Sequence, residues 1–218
     1  MPFPPALVEH ADLFFGGIRT TLILFAAGLA ASLVLGVFMA SLRVWGGNVL
    51  SSLAGAYVEF FRNTPLLVQL FFFAVLLAPA NLGITRDPVV VGIIGLAIYT
   101  GAYVTEVVRS GILSVDARQI EASRSLGLSQ IQSLRLVVLP QAVRTVIPPL
   151  GNVAIALAKN TTIVSAIAAN ELLKVAGIIE TRNATIDGFI AALFVLWAIT
   201  LSMAFILSRL ERRLAFAR

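Results

Sequence analysis

Few side chains in this sequence are equipped for chemistry, and their types limit which chemistry is open. Among 218 residues there is no cysteine and a single histidine, His10. Thiol catalysis, disulfides and a metal held by cysteine or histidine are excluded by that inventory. No Gly-x-x-x-x-Gly-Lys-Ser/Thr loop occurs, and the dipeptide Gly-Lys is absent altogether. The chain therefore lacks the loop that cradles ATP phosphates, and no enzyme activity or catalytic residue is expected of it. The polar residues that remain form three small groups. Lys159, Asn160, Thr161 and Thr162 are one run inside an apolar stretch, Glu59, Arg62 and Asn63 are a second, and Glu106 with Arg109 a third.

The elements that position these groups must lie in a membrane. The chain is 59% hydrophobic and 12% charged, against about 25% charged in a soluble domain. That leaves too little polar surface for a soluble fold and too much apolar surface for disorder. Five stretches reach the length of about 20 apolar residues that a helix needs to cross about 30 Å of hydrocarbon. They fall at about 16–42, 55–80, 88–108, 145–170 and 188–208, with a long polar loop at about 109–144. No period-two alternation of the barrel kind is present. An all-α single domain of five transmembrane helices is the expected fold. Thr64-Pro65 marks either a helix start, Thr64 as N-cap and Pro65 at the first position, or a kink in a span beginning near Ser52.

The net charge of +5 reads as a topology signal, not as a nucleic-acid surface. With the N-terminus outside, the inner segments hold Arg43, Arg109, Arg118, Arg124, Arg135, Arg144, Arg209, Arg212, Arg213 and Arg218, and the outer ones Arg86, Lys174 and Arg182. Basic residues stay on the cytoplasmic side, so the orientation is N-out, C-in. Glu9, Asp12, Asp87, Glu171, Glu180 and Asp187 then lie outside, as a solvated face or a docking face for an external partner.

Lys159 is the most expensive residue in this frame, at about 2.5–3.5 kcal/mol near mid-bilayer. Either its run lines a pathway and offers donors to a substrate carboxylate, or Lys159 pairs with Glu59 or Glu106 or snorkels to an interface. Ala154, Ala158, Thr162 and Ala166, four apart, form a small-residue ridge expected to pack against a helix, with a pathway wall as the alternative. Glu106 and Arg109 are expected to anchor the polar loop to the bundle. That loop reads as two short helices around Gly127. Asp116 with Gln119, and Ser129 with Gln132, have capping-box spacing, Gly127 suits a left-handed stop, and Pro140 ends or kinks the second helix.

At this point a resemblance enters. The run EASRSLGLSQIQSLRLVVLPQAVRTVIPPLGN resembles the EAA loop of importer-type ABC transporter permeases, and more narrowly the polar amino acid subfamily that includes histidine, glutamine, arginine and glutamate permeases. GIRTTL, FFRNTPLLVQLFF, GAYVTEVVRSGI and AKNTTIVSAIAANEL stand in the matching order, from about Gly16 to Arg213. Glu121, Ala122 and Gly127 match the motif, Ser123 stands where alanine is commoner, and Arg118 departs from a usual glycine.

The resemblance implies a type I importer permease in a bacterial inner membrane, with a loop that docks as a coupling helix on an ATPase. On that reading Ala122 and Ser123 allow close docking, Gly127 sets the turn and Glu121 offers a carboxylate. It also implies two ATP-binding cassette subunits that hold ATP and Mg, a second permease, identical or similar, and an external solute-binding protein delivering an amino acid. No cofactor or metal belongs to this chain itself, and lipid is its remaining neighbour. Relatives often carry Asp where this chain has Asn160, which favours acidic or neutral polar substrates here. Two other classes fit the composition: an ion-coupled secondary transporter, whose usual internal repeat is not visible, and a membrane assembly subunit without transport.

Overall fold

A computed structural model describes residues 5–215, so Arg218 of the basic count lies outside the described residues. All regular structure among them is helical. The elements are α1 (Pro5–Glu9), α2 (Ala11–Trp45), α3 (Gly47–Asn63), α4 (Leu66–Leu76), α5 (Pro88–Leu113), α6 (Ala117–Ser125), α7 (Gln130–Ser133), α8 (Leu139–Asn160), α9 (Leu172–Asn183) and α10 (Asp187–Ala215). Four helical stretches are long and apolar enough to cross a membrane: α2, α5, residues 130–167 and α10. The fifth crossing is available only if α3 and α4 count as one bent span.

The centre of the bundle is the crossing of α2 and α5, and small residues make it possible. Gly28, Ser32, Gly36 and Ala40 are buried along one stripe of α2, and Gly92 and Gly101 of α5 lie against Leu24 and Leu35 of α2. A Cβ at Gly36 would collide with the Val104 side chain. In hydrocarbon, where apolar burial gives no drive, this close backbone approach is what holds helices together. Leu24, Leu96, Leu157 and Val164 close the core around the crossing. The opposite faces of α2 and α10 present Val34, Phe38, Phe194, Trp197 and Phe205 outward, as a lipid contact requires.

Four sequence expectations change here. The second span is not one helix from near Ser52. Pro65 has no N–H and forces Thr64 into an extended conformation (φ −113°, ψ 143°), so α3 stops at Asn63 and α4 leaves at 112°. Pro65 takes the N-cap place, and Leu66 is the first helical residue. The fourth span also starts earlier than expected. Pro140 does not end a helix, because a π-helical turn at Leu134–Val138 carries the chain from α7 into α8 with Pro140 in the first turn.

Past Asn160 the winding tightens to a 3₁₀ turn at Thr161–Ile167, which ends on a left-handed Ala168 (φ 68°). Threonine, isoleucine and valine crowd this stretch, and β-branched side chains are poor α-formers. The tighter turn also breaks the expected ridge. Of its four members only Ala158 is buried, while Ala166 is exposed, because 3₁₀ winding places residues three apart in line instead of four. A further change is α9, a helix in the outer segment between the last two spans, to which no element had been assigned. Val175, Ala176 and Ile179 bury one face of it against α1, α2 and α10.

Candidate functional site

The polar residues gather at a cavity between α3, α5 and α8, along α8 itself, and on the loop that precedes it. The last turn of α3 carries Glu59, Arg62 and Asn63, all exposed. The Arg62 guanidinium lies 5.3 Å from the centre of the Tyr103 ring, within range of a cation–π contact. Tyr103 in turn shares a 3.1 Å hydroxyl contact with Tyr99, one turn back on α5. Arg109 Nε donates to both carboxylate oxygens of Glu106 at 3.1 and 3.2 Å. Together Arg62, Tyr103, Glu106, Ser110, Thr145 and Pro149 line an open cavity of about 300 Å³. Tyr103, Ser110 and Thr145 were missed in the sequence, where the i, i+4 tyrosine pair one turn ahead of Glu106 was the available signal.

A second station lies along α8. Thr145, Asn152 and Lys159 are all exposed and stand seven residues apart, so they share one stripe of the helix. Thr145 also lines the cavity, and Lys159 lies about 21 Å further along the axis at 1.5 Å per residue. Lys159 does not take Glu59 or Glu106 as its partner. Glu59 accepts from Asn63 Nδ2 at 3.1 Å, and Glu106 is taken by Arg109. Asn160 is half-buried beside it.

Thr161 departs from the expected pathway lining. It is fully buried, and its hydroxyl donates to the Ala158 carbonyl at 2.7 Å. Thr162 likewise spends its proton on the Lys159 carbonyl at 2.8 Å. The 3₁₀ turn uses these hydroxyls as its own caps, which leaves Lys159 and Asn160 as the free donors of the run.

The polar loop is a folded knob. Asp116 caps α6 through the N–H of Arg118 at 2.9 Å, not through Gln119, whose amide oxygen accepts from Gln141 Nε2 at 2.6 Å. The Ser129–Gln132 capping box is complete, and Gly127 adopts φ 85°, which only glycine enters without cost. Glu121 and Ala122 face outward. Ser123 does not. It is 5% exposed, and its Oγ sits 2.7 Å from Ser133 Oγ. Its small size serves the contact of α6 with α7, and its side chain is turned away from the outer surface where docking was expected of it. Leu126 and Ile131 beside them are 84% and 76% exposed.

Glu171, expected on a solvated face, is fully buried at the start of α9. Its carboxylate accepts from the N–H groups of Leu173 (3.0 Å) and Lys174 (2.8 Å), while the Leu172 N–H donates to Thr21 Oγ1 on α2 (3.1 Å). Burial pushes this carboxyl above the usual carboxylate range, against the lowering effect of those two backbone donors.

Fold and site together define a multi-span helical membrane protein with a polar helix face and a protruding two-helix loop. The chain belongs to the family of binding-protein-dependent transport system inner membrane components, whose pattern matches residues 32–216. It is 38% identical over 211 residues to the probable glutamine ABC transporter permease protein GlnM of Bacillus subtilis (strain 168), covering 95% of this chain and 96% of that one. It is 35% identical over 218 residues to the glutamine transport system permease protein GlnP of Escherichia coli (strain K12), covering 98% and 94%. A crystal structure of an amino acid ABC transporter determined with histidines superposes with a TM-score of 0.87 at 33% identity, over 98% of this chain and 99% of that one.

Proposed function

We propose that this chain is the permease subunit of an ATP-driven amino acid importer and forms half of its translocation pathway. The observation that carries the reading is the exposed stripe Thr145, Asn152 and Lys159 on a membrane-spanning helix, ending at the Arg62–Glu106 cavity. Ionisable residues at such depth face water or protein, not lipid. A second permease, identical or similar, closes the path opposite this stripe. The relatives named as glutamine permeases support an amino acid substrate. Asn160 brings no negative charge to the path, which supports neutral polar or acidic amino acids over cationic ones.

Energy enters from below. The knob at Ser114–Val138 presents Glu121, Ala122, Leu126 and Ile131, and exposed apolar side chains on a rigid loop call for a partner surface. Two ATPase subunits holding ATP and Mg take that place, and an external binding protein delivers substrate on the other side. ATP binding closes the ATPase pair, the knobs carry the motion into the bundle, and access alternates between the two sides. Reversing the charge with Glu121→Arg is expected to abolish uptake and to loosen the ATPase on purification, since unpairing a buried interfacial charge costs 2–5 kcal/mol or more. Normal uptake by that variant overturns the coupling role. The reconstituted complex is expected to take up glutamine or glutamate in preference to arginine, and the reverse order overturns the substrate reading.

A further inference from the structure

The elbow between α3 and α4 contains a buried side chain that the transport reading does not use. Gln69 sits one turn into α4 and is 5% exposed. Its amide nitrogen reaches back across the break to the carbonyl of Phe61 (3.0 Å) and to the carbonyl and hydroxyl oxygens of Thr64 (3.1 and 2.6 Å). Those carbonyls need such a donor. Helix α3 ends without a following turn, and Pro65 has no N–H to give, so the last carbonyls of the helix would stay unpaired in a water-poor setting. Thr64 Oγ1 serves the Phe60 carbonyl at 2.9 Å, Asn63 Nδ2 serves that of Glu59 at 2.8 Å, and Gln69 serves those of Phe61 and Thr64. Its own Oε1 has no donor among the described residues. The amide is therefore held by its N–H side alone.

The two carbonyls that Gln69 grips belong to Phe61 and Thr64, on either side of Arg62. One turn earlier on the same face as Phe61, Tyr57 donates its hydroxyl to the Ile98 carbonyl at 2.7 Å, fixing α3 to α5. We infer that Gln69 is a positioning residue for transport: it locks the last turn of α3 so that Arg62 stays over Tyr103 at the cavity. The inference rests on the pathway reading of Arg62.

A double-mutant cycle on the reconstituted complex tests it, using uptake of glutamine and the amount of ATPase subunit retained. Gln69→Leu and Arg62→Ala are each expected to slow uptake at least tenfold with the ATPase retained, and the double variant is expected to be no slower than Arg62→Ala alone. Gln69→His, which keeps an N–H donor, is expected to recover most of the rate, and Gln69→Met, which offers none, is not. Losses that multiply in the double variant, or wild-type uptake by Gln69→Leu, overturn the positioning role. If Gln69→Leu does not assemble, Gln69→Met takes its place in the cycle, and failure of both to assemble makes Gln69 a folding residue and overturns the role as well. Normal uptake by Arg62→Ala overturns the pathway reading itself, and the role of Gln69 falls with it.

Discussion

Glu171 is a carboxylate with no solvent exposure, and burying such a group carries a cost. It is tolerated because it caps α9 twice, through Leu173 and Lys174, at a helix end whose dipole favours a negative group. Glu171→Ala takes the acceptor from both part-buried N–H groups, at about 1–3 kcal/mol, and is expected to lower the thermal midpoint of the purified complex by several degrees. Glu171→Gln keeps the shape and one acceptor oxygen and is expected to cost less. The pH dependence separates charge from shape. Because burial raises the folded-state pKa of this group, its contribution is fullest below the unfolded value and is lost as pH rises through the folded one. The Glu171→Gln complex is therefore expected to gain on the wild type as the buffer moves from acid to neutral. A midpoint difference that stays constant with pH overturns that assignment.

At the scale of elements, the sequence was legible wherever a local rule acts alone. Ser129 and Gln132 form the box their spacing announces, and Gly127 turns left-handed where a stop was due. Pro65 announced a break, but not its angle, because the helices meet at 112° in a packed bundle where Gln69, four residues on, bonds back across the break. The 3₁₀ turn after Asn160 left a trace in its Thr-Thr-Ile-Val run. That trace was read as a polar patch, so Thr161 was assigned to the pathway when its hydroxyl belongs to its own helix. Helix α9 was overlooked although Leu172, Val175, Ala176 and Ile179 carry a helical spacing. Lys174, Glu180 and Arg182 interrupt that spacing with charge, and its cap comes from a glutamate and from Thr21, about 150 residues away in sequence. The site divided in the same way. Arg62, Glu106 and Arg109 were visible as charges out of place in apolar sequence, whereas Tyr103 and Thr145 became site residues only through the crossing of α3, α5 and α8.

For the whole molecule, the orientation in the membrane decides whether the knob can meet an ATPase at all. Residues 130–167 form one helical stretch long and apolar enough to cross, so positions just before and just after it must lie on opposite sides. Leu126 on the knob and Thr181 on α9 are both exposed and bracket that crossing. The arginines cluster on the knob's side, and moving them outward across the bilayer is disfavoured. The absence of any cysteine makes the measurement clean, since a single introduced thiol is the only one in the chain. With Thr181→Cys, a membrane-impermeant maleimide is expected to label intact cells. With Leu126→Cys, it is expected to label only after permeabilisation. The opposite pattern would put the knob outside, beyond the reach of cytoplasmic ATP, and would remove ATP-driven import in favour of an ion-coupled carrier. Labelling of both from one side would mean that residues 130–167 do not cross, and the polar stripe on α8 would then lie outside any transmembrane path.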